Sequence, residues 1–185
     1  ENGPLTSKLK NIKKNDEIIL MTKSTGTLIL DALLPGKRLF LFSTGTGFAP
    51  FASLIRDPES YEKYENIIVT HTCRNINELN YSRSIVNECN SNELFQEIID
   101  GKLTFYQTTT REKSDFFGRI TDRLVDHSFY EDLKIIPINP DQDRVMICGS
   151  LEMLNEHKSI CEEHGMIEGA NSQPGHYVIE KAFVD

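Results

Sequence analysis

Arg38-Leu39-Phe40-Leu41-Phe42-Ser43-Thr44-Gly45-Thr46-Gly47-Phe48-Ala49-Pro50-Phe51-Ala52-Ser53-Leu54-Ile55 is the stretch that decides the fold. Arg38 to Phe42 is a continuous apolar run without polar alternation, the pattern of a strand buried on both faces. Ser43 to Pro50 is a glycine-bearing turn, and Pro50 to Ile55 has helical spacing with a proline suited to a first turn. At such a strand-to-helix turn, backbone N–H groups and the positive helix end can hold a phosphate group. Thr44, Gly45, Thr46, Gly47 and Pro50 are therefore candidate cofactor-binding residues. The spacing is Gly-x-Gly-x-x-Pro rather than Gly-x-Gly-x-x-Gly, so a plain tight turn is the competing reading.

Outward from this stretch, apolar strands alternate with helical segments. Asn66 to His71, Leu103 to Thr108, Arg144 to Cys148 and His176 to Ile179 read as further strands. Asn77 to Val86 and Ser91 to Ile99 read as helices, and Ser150 caps another that stops at Gly165. The order predicts an α/β fold, an open parallel sheet with helices on both faces. Before Gly36 the pattern differs. Asp16 to Met21 and Thr27 to Leu30 read as short strands, with turns at Asn15-Asp16 and Pro35-Gly36. Residues 1–36 are thus expected to be a β-rich unit too small for its own core, and 37–185 the α/β domain.

Composition narrows the function. The 185 residues are 38% hydrophobic with 10 Phe, enough for a core. Twenty basic against 28 acidic residues leave a charge of −8, which argues against a nucleic-acid coat or an anionic-membrane binder. Seven basic and four acidic residues make the first 38 positions net +3, so −11 falls on the rest. No apolar run approaches the roughly 20 residues of a membrane helix. Cys73, Cys89, Cys148 and Cys161 form no C-x-x-C pair, which fits a reducing cytoplasm rather than a disulfide framework or zinc ribbon. The chain opens on Glu1-Asn2-Gly3-Pro4 without an initiator Met or a targeting segment, so processing or, preferably, truncation upstream is expected. On the last long helix His157, Cys161 and His164 share a face without an obvious fourth ligand, and no metal site is expected. No H-E-x-x-H, nucleophile elbow or P-loop is present.

Three arginines follow strand ends. The second strand ends His71-Thr72-Cys73-Arg74, Thr109-Thr110-Arg111 follows the third, and Gly118-Arg119-Ile120 opens the next helix. An NAD site offers an acid to the ribose hydroxyls, whereas a 2'-phosphate calls for arginine, so Arg74, Arg111 and Arg119 favour NADP over NAD. Taken singly, each reads more often as a solvated surface charge, and it is their shared position after strand ends that favours NADP. Cys148-Gly149-Ser150 ends the fourth strand at the same carboxyl edge. Cys148 is either core or the wall of a pocket for a flat ring, and no adjacent His or Asp makes it a nucleophile.

These segments, in this order, resemble the bacterial ferredoxin–NADP reductase family. The resemblance runs almost end to end through Gly3-Pro4-Leu5-Thr6-Ser7-Lys8-Leu9, Thr25-Gly26-Thr27-Leu28, Leu34 to Leu39, Ser43 to Pro50, Gly118 to Asp122, Cys148-Gly149-Ser150 and Gly169 to His176. It implies a flavoprotein oxidoreductase with an FAD-binding antiparallel β-barrel followed by an NADP-binding α/β domain. Hydride would pass between NADP(H) and FAD, coupled to single-electron exchange with ferredoxin or flavodoxin. By the same resemblance Pro4, Leu5, Thr6 and Ser7 meet the FAD pyrophosphate and Thr46 contacts the flavin. Arg74, Arg111 and Arg119, with Thr110 beside them, grip the NADP 2'-phosphate, while Gly149, Ser150, Leu151 and Glu152 line the rest of that cofactor. Cys148 matches the strand-end residue near the nicotinamide, and Ala182 and Phe183 pack against flavin or adenine. The family's Arg-x-Tyr-Ser flavin motif is not in this sequence and is expected upstream of Glu1, so residues 1–36 are expected to be the remnant of the barrel.

Lys8, Lys10, Lys13 and Lys14 make a basic patch suited to docking an acidic electron carrier, or simply a solvated run. A cytoplasmic monomer without nucleic-acid or membrane partners is expected. The rival readings are a flavin-less NADP-binding module and the reductase component of an oxygenase. The three arginines and the lack of a cysteine cluster speak against the second.

Overall fold

The structure, a computed structural model, describes residues 6–19, 22 and 26–182. Five strands form one parallel sheet: β1 (Arg38–Thr44), β2 (Asn66–Cys73), β3 (Leu103–Thr109), β4 (Asp143–Gly149) and β5 (Tyr177–Lys181). Their order across the sheet is β3-β2-β1-β4-β5. A one-turn helix α1 spans Thr6–Leu9. Helices α2 (Phe48–Leu54) and α3 (Pro58–Lys63) join β1 to β2, and α4 (Asn80–Ser91) and α5 (Glu93–Ile99) join β2 to β3. The remaining crossovers run through α6 (Ile120–Val125) and α7 (Ser128–Leu133), then α8 (Leu151–Glu163).

The continuous apolar strands have a direct cause, since helices cover both faces of the sheet. On β1, Leu39 and Leu41 point into a core shared with Phe48, Phe51, Ile85 and Val86. Phe40 and Phe42 point the other way, onto Phe129, Leu154 and Ile160. The α/β reading of the sequence is borne out. Each expected strand of the sheet is present with bounds one or two residues different, and α3 and α7 are additional.

Among the described residues the expected strands before Gly36 are not formed; Leu20 and Met21 lie outside them. Residues 16–19 carry no strand, with Ile19 97% exposed, and residues 30–32 close a single 3-10 turn. A β-branched run becomes a strand only beside a partner edge, and here the chain is held by other means. Thr27 N–H donates to Glu180 Oε2 (2.8 Å) and its hydroxyl to Ile179 O (2.9 Å), while Leu28, Leu30 and Leu33 are buried in the α2–α5 core. Arg144 Nε donates to Leu34 O at 2.9 Å. Residues 27–34 therefore pack as an edge cover on the α/β unit. The expected turn at Asn15-Asp16 does form, with Asn15 at φ 79°.

His157 sits on α8 with its ring 4.8 Å from that of Phe42 and 1% exposed. Its Nδ1–H donates to Met153 O (2.9 Å), and Nε2 is buried without a hydrogen-bond partner among the described residues. Burial lowers its pKa from 6.5 to about 4. The unfolded chain therefore takes up the proton first. Stability is complete above about pH 6.5 and declines as pH falls towards 4, by on the order of 3 kcal/mol. His157→Phe is expected to flatten this dependence. Urea unfolding at pH 7 and pH 4.5 checks it, and an unchanged pH difference in the variant would refute the assignment. His164 Nδ1 is likewise engaged by a backbone carbonyl, Ile160 O (2.8 Å), and no cluster of three or more metal-ligating side chains occurs among the described residues.

Candidate functional site

From β1 the chain steps outward through β2 and β3, then returns to the other side of β1 for β4 and β5. Open α/β sheets bind ligands at the carboxyl edge where the direction of winding reverses. A cleft of about 570 Å³ lies there, between the ends of β1, β2 and β4 and the starts of α6 and α8.

The glycine turn is braced from both sides. On the β2 side, His71 Nε2–H donates to Gly45 O (2.8 Å), and His71 Nδ1 lies 2.8 Å from Ser82 Oγ. A carbonyl only accepts, so the proton is assigned to Nε2, and the neutral ring presents Nδ1 as an acceptor to the Ser82 hydroxyl, whose single proton is shared between that nitrogen and Leu79 O at 2.9 Å. Burial lowers the His71 pKa and keeps that ring neutral. On the β4 side, Ser150 N–H donates to Thr44 Oγ1 (3.3 Å), and Gly47 lies against the Cys148 backbone, where a Cβ would come within 2.6 Å of the carbonyl carbon. Gly45 and Thr46 face solvent, while Gly47 is buried and Pro50 lies in the first turn of α2.

Several candidate residues meet in the cleft: Thr44, Gly45, Arg74, Thr110, Arg119, Ser150 and Glu152. Arg74 is exposed at the end of β2. Arg111 is tied to it through Arg111 N–H to Arg74 O (2.9 Å), yet its side chain is not part of the lining. Glu78 accepts from the N–H groups of Asn75 (2.9 Å) and Arg74 (2.8 Å), which lowers its pKa, with the Arg74 and Arg111 charges acting in the same direction. Ser150 caps α8, its hydroxyl accepting from Met153 N–H.

Other candidates lie elsewhere. The Cys148 side chain belongs to the core with Leu39, Leu41 and Met146 rather than to the cleft lining, and burial raises its thiol pKa to about 11. Leu151 is exposed at the first turn of α8. Ala182 N–H donates to Gly149 O (3.1 Å) and packs on the core. Thr6 and Ser7 are in α1, and Ser7 is not among the residues that line the cleft. Pro4, Leu5 and Phe183 lie outside the described residues.

Sequence reading missed Glu156, which faces Arg119 across the cleft, and His71. The available signals were the Glu152/Glu156 spacing of four on one helix and a histidine two residues before the strand end.

The sheet order and a carboxyl-edge cleft lined by Arg74 and Arg119 are those of a dinucleotide-binding module of the oxidoreductase type. The family model for an oxidoreductase NAD-binding domain matches residues 41–159. A flavodoxin/ferredoxin–NADP reductase of Rhodobacter capsulatus is 52% identical over 98% of this chain and 67% of its own length. The ferredoxin–NADP reductase of Azotobacter vinelandii is 46% identical over the whole chain and 72% of its own length. Among solved structures, a ferredoxin NADP+ reductase from Neisseria gonorrhoeae with bound FAD and NADP superposes with a TM-score of 0.81 at 25% identity, covering 99% of this chain and 71% of that one. The chain belongs to the ferredoxin–NADP reductase family of oxidoreductases, and spans 67% and 72% of the lengths of these two relatives.

Proposed function

We propose that the chain is the NADP-binding part of a ferredoxin/flavodoxin–NADP reductase, with residues 37–185 forming the nucleotide domain and 1–36 belonging to the flavin side. The observation that carries this reading is the presence of Arg74 and Arg119 in one cleft at the carboxyl edge of the sheet, with Thr110 beside them. Guanidiniums with neighbouring hydroxyls are the donor set a phosphorylated ribose requires, and the cleft is large enough for a nucleotide, so the residues fit NADP. When bound together, flavin and nicotinamide supply the hydride and one-electron chemistry. The chain's own part is to grip the phosphates, keep the glycine turn in place through His71 and Ser150, and exclude water from the ring side.

The exposed Lys8, Lys10, Lys13 and Lys14 are read as the docking patch for acidic ferredoxin or flavodoxin, in a cytoplasmic monomer whose four cysteines are buried and unpaired. The lack of any strand among the described residues before Gly36 favours a second reading, an NADP-binding module that holds no flavin by itself.

An absorption spectrum after FAD addition and desalting, followed by calorimetric titration with NADPH and NADH, separates the two. Retained flavin bands with preference for NADPH support the reductase, colourless protein with that preference supports the module, and equal affinity for both nucleotides overturns both. Arg74→Met is expected to weaken 2'-phospho-AMP binding about tenfold while leaving AMP unchanged. Equal losses for the two ligands would remove Arg74 from the phosphate site.

A further inference from the structure

Arg119 is not idle in the cleft. Its Nη2 lies 2.6 Å from both carboxylate oxygens of Glu156 and 3.3 Å from Glu152 Oε1. Thr121 fixes the arrangement by donating its hydroxyl proton to Glu156 Oε2 (2.9 Å). All four residues line the cleft. Arg74 differs, because its acidic neighbour Glu78 accepts from backbone N–H groups.

We propose that Glu156 is a specificity-determining residue, a built-in carboxylate that occupies Arg119 and must be displaced before a 2'-phosphate can be gripped. The proposal rests on the reading of this cleft as the 2'-phosphate site. A phosphate dianion and Glu156 compete for the same guanidinium nitrogen, and like charges a few ångströms apart repel in a partly enclosed cleft. Glu152, one helical turn before Glu156, adds to the negative field. An unphosphorylated ribose leaves the ion pair intact. The penalty therefore falls only on the phosphorylated ligand, and Glu156 lowers the preference that Arg74 and Arg119 create.

Glu156→Gln keeps the shape and an acceptor for Thr121 while removing the charge. Calorimetric titration of the purified chain and this variant with 2'-phospho-AMP and with AMP is the test. The variant is expected to bind 2'-phospho-AMP about tenfold more tightly, with AMP unchanged. In an Arg119→Met background the same substitution should give no such gain. Thr121→Val, which releases Glu156 without touching its charge, should tighten 2'-phospho-AMP about twofold and serves if the first variant folds poorly by circular dichroism. Unchanged or weaker binding in both variants, or a full gain without Arg119, overturns the proposal. If the unsubstituted chain shows no preference for 2'-phospho-AMP over AMP, the reading of the cleft fails and takes this inference with it. A normal preference that Glu156→Gln does not increase leaves that reading standing and removes Glu156 alone.

Discussion

Gly47→Val is expected to cost about 4 kcal/mol of stability and to weaken nucleotide binding with it. The glycine closes the turn after β1, and its Cα faces the backbone where β4 ends. An added Cβ would come within 2.6 Å of the Cys148 carbonyl carbon and 3.0 Å of Gly149 N. Those atoms belong to a strand held by β1 up to Cys148 and by β5 at Gly149, so they cannot move aside as a side-chain tip would. The turn itself would have to lift, breaking the Ser150-to-Thr44 bond that joins the two strand ends. Gly45→Ala supplies the contrast. At φ +53° with nothing within 4 Å of its Cβ position, Gly45 needs only the left-handed backbone, at about 1 kcal/mol. Thermal melts of the two variants test the difference. Similar shifts for both would mean that steric contact with β4 is not what requires Gly47.

The same turn shows how far the sequence could be read. Strand, turn and helix were legible because β1 is apolar on both faces and glycine marks the change of period. The other strands of the sheet followed from the same continuous runs. Helices α3 and α7 were not legible, since six residues make fewer than two turns and leave no period to detect. Asp16 to Met21 and Thr27 to Leu30 have strand composition, yet strand formation is decided by a neighbour rather than by composition. At the site, Arg74 and Arg119 could be placed because strand ends converge at one edge. The side chain of Arg111, two residues beyond β3, could not be directed from the sequence. Nor could the 37-residue link between Arg119 and Glu156, which exists only once α6 and α8 pack side by side on the sheet.

Asp143→Ala is expected to cost about 3–5 kcal/mol, the range for breaking a buried ion pair from one side. Asp143 and Arg38 are register partners at the amino ends of β4 and β1. Arg38 donates through Nε to Oδ1 (2.8 Å) and through Nη2 to Oδ2 (2.6 Å), and Asn139 N–H adds a third bond at 2.7 Å. The Asp143 side chain is 1% exposed and that of Arg38 13%, so removing the carboxylate strands a guanidinium that water barely reaches. The guanidinium also sits 4.8 Å above the Phe40 ring, which cannot replace the lost charge. Replacing both partners by apolar residues, Arg38→Met with Asp143→Leu, should recover most of the loss, because neither charge then needs solvation. The pair stands at the edge opposite the cleft, a strand length of about 20 Å away. Folded Asp143→Ala protein should therefore bind nucleotide normally while unfolding at lower urea. A double variant as unstable as the single one would show that the ion pair itself, and not the avoidance of a buried lone charge, holds β1 to β4 at that edge.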